Sequence, residues 1–429
     1  MPFLSPGYGN DGDAWRVADA ALQMAETGSY TASRLPGYPL YEIVAASIVR
    51  FGSFVLNAFS ALMGVIAVLF FALTLRKLKC RDTFPATIAF ALTPVIYINN
   101  VSSMDFMLGL AFGMIALYFT LRGRLLWAGV MLGMAIGSRM TWGAMLLPLL
   151  ILSLPESGRP DKKQSAFVLI TLGVGTLWFI PVWLQYEWGS FWFADMYPPL
   201  VYVFYQSTAG FWGSIGIVVL SLLTILRLFR GPTPDWSSLL IDLSTTKGRR
   251  LLIASILGIA LYLIAFIRLP HDASYLIPAL PFVLILLALW FSRRQFLVLC
   301  TALSLSPFLL ALDNHGVYLP GPIFFDHSER TSQIAYVEAV LDVAEEMNES
   351  SLIVAGNWLY KIIGTGRERK WSRSVEFVYL LDSAEAHGYL ARGWTIYFLP
   401  KQELYNADVY GFSLPELGAI PFPSDSSSN

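Results

Sequence analysis

The sequence predicts a mostly α protein, a multi-pass bundle of membrane helices followed by a small α/β domain, and three observations carry that reading. Of 429 residues, 55% are hydrophobic and only 14% charged, whereas a soluble domain carries about 25% charged residues. The apolar residues come in runs of about 20, the length that crosses the hydrocarbon core of a bilayer. The net charge of −1 conceals an asymmetry: residues 1–312 hold 21 Lys and Arg against 14 Asp and Glu, while residues 313–429 hold 8 against 16. The basic part is the hydrophobic part, as in a membrane body with its cations at the inner edge, and the acidic remainder reads as water-soluble. A single soluble globule is excluded, and no nucleic-acid footprint is visible. Cys80 and Cys300 are too few and too differently placed for a disulfide framework or a zinc site.

Taken in order, the apolar runs place spans near 54–75, 84–100, 105–121, 166–186, 211–229, 251–268, 275–291 and 296–312. The stretch 125–154 is too long for one span and is interrupted by Gly137, Ser138, Arg139 and Met140, so it divides into two short helices with a polar tip. That makes about ten spans. If they alternate, 16 Lys and Arg between Arg76 and Arg294 fall on one side, against Arg16, Arg34, Arg50, Arg139 and Arg268 on the other. Loops rich in Lys and Arg stay inside, so the chain divides into an outward N-terminal loop with juxtamembrane helices (1–53), a transmembrane body (54–312) and an outward α/β domain with a disordered tail (313–429). About 50 polar residues precede the first span without a helix to carry them across. We therefore expect a first membrane helix upstream of Met1; the other reading is insertion by the first hydrophobic span.

In the C-terminal part, 328–347 reads as an amphipathic helix, SLIVAG (351–356), SVEFVYLL (374–381) and TIYFLP (395–400) as strands, and SAEAHGYLARG as a helix between the last two. Strands alternating with helices give a small α/β layer. The GTG at 364–366 lacks the spacing of a dinucleotide fingerprint.

Ionisable residues at the outward helix ends are the informative ones, because they are costly in lipid and line water-filled sites. Asp13 and Asp105 are such residues, and each is equally explicable as a helix cap or first-turn acid. No carboxylate falls in mid-membrane, which lowers the class of ion-coupled transporters. Between 183 and 212 aromatic residues are dense. Most of them read as an interfacial belt and some as a lipid-tail groove, with Trp188, Trp192, Tyr197 and Tyr275 as candidates for contact with lipid or sugar. His315, His327 and His387 lack metal-ligand spacing.

The order of segments adds a family resemblance. GNDGDAWRVADAALQMAETGSY, RLPGYPLYEIVAASIVRFG, the SSMDFML start of a later span, GVMLGMAIGSRMTWGAMLLPLL and RLPHDASYLIPALPF together resemble the GT-C superfamily of polyprenyl-phosphate-sugar-dependent membrane glycosyltransferases. Within it the chain is most similar to the dolichyl-phosphate-mannose-protein-mannosyltransferase-like and lipid A aminoarabinose transferase groups. The resemblance covers 10–155 well and 268–312 moderately. It implies a GT-C bundle in which Asp13 is the first-loop catalytic acid, Asp105 a second acid at the start of a span, and Arg34 the basic residue before the Pro-containing helix. Where the family often has Arg directly before Tyr, this chain has Ser274 before Tyr275, which leaves Arg268 or His271 as phosphate contacts beside Arg34 and Arg139.

The implied activity is transfer of a sugar from a polyprenyl-phosphate donor to a glycan, lipid or protein acceptor, with inversion, on the outer side of a bacterial inner membrane. A carboxylate can take the acceptor's proton, and guanidinium groups or a divalent cation (Mg or Mn, held by Asp13 and Asp105) can stabilise the departing phosphate. Arg139 is equally explicable as a snorkelling tip residue. The alternative is a transporter or flippase of a lipid-linked intermediate, for which many spans are equally good support; inverted repeats would favour it. A third is a membrane scaffold whose α/β domain binds a partner.

Overall fold

The computed structural model describes residues 2–156, 158–186, 198–230, 239, 244–313, 316–347, 349–367, 375–381 and 383–399. Helix α1 (Gly12–Thr27) begins at Asp11, whose carboxylate accepts the Asp13 backbone N–H at 2.9 Å, and ends at Gly28 with φ 70°. Helix α2 (Pro39–Ile48) opens with proline, whose missing N–H is harmless there, and packs on α1.

The membrane body follows with α3 (Ser53–Lys77). The run expected as one span at 84–100 is two helices, α4 (Thr83–Leu92) and α5 (Pro94–Asn100): Thr93, before the proline, leaves the helical region (ψ 129°), and Pro94 takes the first position of the second helix. Helices α6 (Phe106–Leu121) and α7 (Leu125–Ser138) come next. The expected break in 125–154 is present: Arg139 is extended, and a 3₁₀ segment, Met140–Met145, leads into α8 (Leu146–Ser153). Helix α9 (Lys162–Gln185) starts with a reciprocal Asp161/Gln164 capping box. Helices α10 (Leu200–Ser207) and α11 (Ala209–Trp212) meet α12 (Ser214–Arg230) at a 93° bend. Helix α13 (Thr246–Arg268), a 3₁₀ segment Ala273–Ala279, α14 (Leu280–Trp290) and α15 (Arg293–Leu309) complete the body.

Every expected span falls on helix, but among the described residues only four helical stretches are long and apolar enough to cross a membrane alone, and the bent pair makes a fifth. Of the shorter ones, α4 stops before Pro94 and the 125–154 stretch is divided at Arg139, while α6 is a 16-residue helix. Leu62, Val65 and Leu69 on α3, Leu169 and Leu177 on α9, and Ile264 on α13 are exposed. Apolar side chains in contiguous bands on long helices need a lipid environment, so the chain is an integral membrane protein. At one end of the bundle the basic loops meet: Arg293 forks onto Asp82 at 3.0–3.2 Å, Arg250 donates to the carbonyls of Leu154 and Pro155, and Lys247 reaches Glu156 at 3.9 Å.

The C-terminal part starts with a hairpin of β1 (Ala311–Asp313) and β2 (Gly316–Tyr318), then α16 (Pro322–Glu346). Strand β3 (Ser351–Val354), α17 (Leu359–Gly366), β4 (Val375–Val378), α18 (Ser383–Ala391) and β5 (Thr395–Phe398) form a parallel three-stranded layer in the order β4-β3-β5, with β3 buried throughout. The expected strands and helices are all present. Helix α17 was not foreseen; the GTG lies at its end, where a Cβ on Gly364 would sit 2.7 Å from Trp15. The expected disordered tail lies outside the described residues.

This domain is docked on the N-terminal loop. Arg330, 2% exposed, donates to the carbonyls of Pro6, Gly7, Phe3 and Val101 at 2.8–3.3 Å. Lys361 donates to the Asn10 carbonyl at 2.8 Å and to Gln333 Oε1 at 2.6 Å, and burial pulls its ammonium down to about 8.

Candidate active site

The end of the bundle away from the basic loops gathers four of the charged residues singled out in the sequence. Arg34, from the loop between α1 and α2, pairs with Asp13 and also donates from Nη2 to Asp105 Oδ1 at 3.3 Å. Arg139, at the end of α7, donates from Nη1 to the other oxygen of Asp105, Oδ2, at 2.8 Å. Asp13 pairs further with Arg16 at 3.7 Å. One guanidinium therefore bridges two carboxylates, and three arginines face two acids.

Neither acid is spent as a helix cap. Asp11 caps α1, and Asp105 makes no side-chain capping bond at the start of α6. Instead Asp105 is fully buried, and two charge-assisted bonds offset the large cost of taking its charge out of water. Arg139 is not a snorkelling tip residue. It is buried, with its guanidinium 4.2 Å from the Phe106 ring, 4.7 Å from Tyr275 and 5.2 Å from Tyr38. Arg34 shares one of these rings, stacking on Tyr38 at 4.7 Å. Cation–π contacts of this kind hold an arginine in one orientation while leaving its N–H edges for acceptors. Among the described residues the buried Arg34 Nε–H has no acceptor.

The loop that carries Arg34 is pinned by Glu42 of α2. Its buried carboxylate accepts from Tyr30 Oη at 2.5 Å, Ser33 N at 2.7 Å, Ser33 Oγ at 2.6 Å and Tyr38 N at 3.0 Å. Burial raises its carboxyl above the usual range, and these bonds pull in the opposite direction. Beside the cluster lies a cavity of about 620 Å³ whose walls include Asp11, Phe106, Tyr202, His271, Asp272 and Ser274. Tyr202 Oη donates to the His271 carbonyl at 3.0 Å, and Ala273 N donates to Gln206 Oε1 at 3.1 Å, which ties α10 to the turn before α14.

Of the candidates named from the sequence, Asp13, Arg34, Asp105, Arg139 and Tyr275 come together, and His271 lies on the cavity wall. Arg268 ends α13 as an exposed side chain. Ser274, standing where the resemblance has arginine, accepts from Asn99 Nδ2 at 2.8 Å. Trp188, Trp192 and Tyr197 lie outside the described residues. Sequence reading counts Glu42 among the outward acids without giving it a role, and does not single out Tyr38 or Phe106. Phe106 follows Asp105 directly and Tyr38 lies four residues after Arg34, so proximity was their only signal. The Arg34 guanidinium lies between the two acids, and among the described residues no group of three or more His, Cys, Asp or Glu is gathered there.

No protein-family pattern and no curated protein matches this sequence. Solved structures do. ArnT from Cupriavidus metallidurans bound to undecaprenyl phosphate is similar over 91% of this chain and 85% of that one, with a TM-score of 0.56 at 14% identity. The Archaeoglobus fulgidus oligosaccharyltransferase tethered with an acceptor peptide is similar over 84% of this chain and 59% of that one, with a TM-score of 0.41 at 14% identity. The likeness to ArnT spans bundle and C-terminal domain alike, and the chain has the GT-C fold that the sequence resemblance implied.

Proposed function

We propose that this protein is a glycosyltransferase of the bacterial inner membrane that moves a sugar from a polyprenyl-phosphate carrier to an acceptor hydroxyl on the face opposite its basic loops. One observation carries the reading: an arginine shared by two carboxylates, with a second arginine fixed by aromatic rings behind it, beside a polar cavity. In this reading the acceptor oxygen attacks the anomeric carbon, the bond from that carbon to the phosphate oxygen breaks, and the configuration inverts. Asp13, the more exposed acid, takes the acceptor's proton as general base. The leaving group is a lipid phosphate, and its growing negative charge is met by Arg34 and Arg139, whose planar N–H forks match phosphate oxygens. Asp105 holds both arginines in place. The same ligand, undecaprenyl phosphate, is the one bound by ArnT, and the acceptor is a glycan, a lipid or a protein.

The test is release of undecaprenyl phosphate from an undecaprenyl-phosphate-linked sugar by the full chain in proteoliposomes. Asp13→Asn is expected to slow release by about 10²–10⁴, the usual contribution of a positioned base. Undiminished transfer by both Asp13→Asn and Asp105→Asn would overturn the proposal.

A further inference from the structure

Arg16 lies one turn beyond Asp13 on α1 and pairs with the oxygen that Arg34 does not use: Arg16 reaches Oδ1 and Arg34 reaches Oδ2. Its guanidinium in turn sits over two rings of the α/β domain, Tyr360 at 4.8 Å and Tyr379 at 5.0 Å. Both tyrosines stand at the carboxyl end of the parallel layer, Tyr360 in α17 after β3 and Tyr379 directly after β4. The Tyr379 hydroxyl donates to Asn357 Oδ1 at 2.9 Å in an exposed bond at the first connection of the layer, and it is the ring faces that meet Arg16. The carboxyl ends of parallel strands are where such layers present working residues. Along the rest of α1 the same domain grips Asn10 through Lys361, Trp15 through the backbone at Gly364, and Glu26 through Arg367 at 2.9 Å.

We propose that the α/β domain is a positioning element of the active site, and that Tyr360 and Tyr379 act through Arg16 to set where the Asp13 carboxylate points. The proposal rests on the reading of Asp13 as the base. A short carboxylate at a partly exposed position samples several rotamers. Guanidinium groups on both of its oxygens, each stacked on aromatic rings, confine it to one and leave a lone pair on each oxygen for an incoming hydroxyl. Orientation of this kind acts on the rate of the chemical step and not on substrate affinity. It also gives the docking of the α/β domain a chemical purpose, because both rings over Arg16 belong to that domain.

The decisive measurement is carbodiimide-driven amidation of carboxyl groups with glycine ethyl ester on the full chain in nanodiscs, read by peptide mass spectrometry at Asp13 with exposed Glu338 as internal reference. Tyr360→Ala/Tyr379→Ala is expected to raise Asp13 labelling about fivefold, the loss of two partly exposed cation–π contacts. Arg16→Gln does the same without touching the domain, and Tyr360→Phe/Tyr379→Phe, which keeps both ring faces, stays at the wild-type rate. In the transfer assay the alanine pair lowers kcat with KM unchanged, and the phenylalanine pair restores it. Labelling in the alanine pair and in Arg16→Gln equal to wild type overturns the proposal, as does a phenylalanine pair that behaves like the alanine pair. If labelling moves as stated but Asp13→Asn still transfers sugar, the clamp stands and the assignment of the base falls.

Discussion

Asp13 and Asp105 carry the same charge in unlike surroundings: the Asp13 side chain is 28% exposed and shares its charge with Arg16 and Arg34, while Asp105 has no exposure at all and holds the half-buried Arg34 and the buried Arg139. Removing one partner of a buried ion pair strands the other, at about 3–5 kcal/mol, whereas a partly exposed pair is worth about 1 kcal/mol or less. Asp105→Asn is therefore expected to lower the thermal unfolding midpoint strongly and Asp13→Asn barely, although both are expected to slow transfer. Equal midpoints for the two variants in nanodiscs would show that Asp105 does not carry the pairing. At this scale the sequence marked the charged residues well, because an ionisable side chain at the end of an apolar run stands out against its neighbours. It did not mark Tyr38 or Phe106. Their contact with Arg139 arises where three separate segments meet, and no local spacing records such a meeting.

Helix α7 delivers Arg139, so the packing of α7 decides where that guanidinium lies. Gly129, Gly133 and Gly137 repeat every fourth residue and face α9; a Cβ on them would lie 3.0 Å from the Phe167 carbonyl oxygen, 2.6 Å from Val174 Cβ and 2.4 Å from Trp178. Small residues at this spacing let two membrane helices approach closely, where packing and not hydrophobicity drives association. Gly133→Ala is expected to cost about 1–3 kcal/mol by overpacking, measured as a lowered unfolding midpoint in nanodiscs. Gly173→Ala on α9, whose added Cβ would meet nothing within 4 Å, is neutral or stabilising through helix propensity. A neutral Gly133→Ala would mean that the two helices are not in contact there. Run length located the helices in the sequence because apolar length is what a bilayer demands. Helix α17 stayed hidden because its apolar residues Leu359, Ile362 and Ile363 are too short a run to distinguish helix from loop before Gly-Thr-Gly, and its place is set by packing on both α16 and α1.

Charge orders the molecule as a whole. The loop bearing Arg76–Arg81 meets Arg293 through Asp82, the loop bearing Arg159 meets Lys247–Arg250 through Pro155, and the packing of α13 on α14 sets the two pairs toward one end of the bundle. Asp13, Arg34, Asp105, the cavity and the acidic α/β domain lie together elsewhere, joined by Arg330 and Lys361 to the N-terminal loop. A positively charged loop is retained on the cytoplasmic side, so this arrangement predicts that the whole site works on the other face, where a lipid-linked sugar would meet its acceptor. The prediction can be checked in intact spheroplasts with a membrane-impermeant maleimide, after Cys80 and Cys300 are replaced by serine and alanine. Glu338→Cys, exposed on α16, is expected to label at once, and Arg159→Cys, exposed in a basic loop, only after permeabilisation. The reverse pattern would place the site in the cytoplasm, and the donor would then have to be one presented on the inner leaflet.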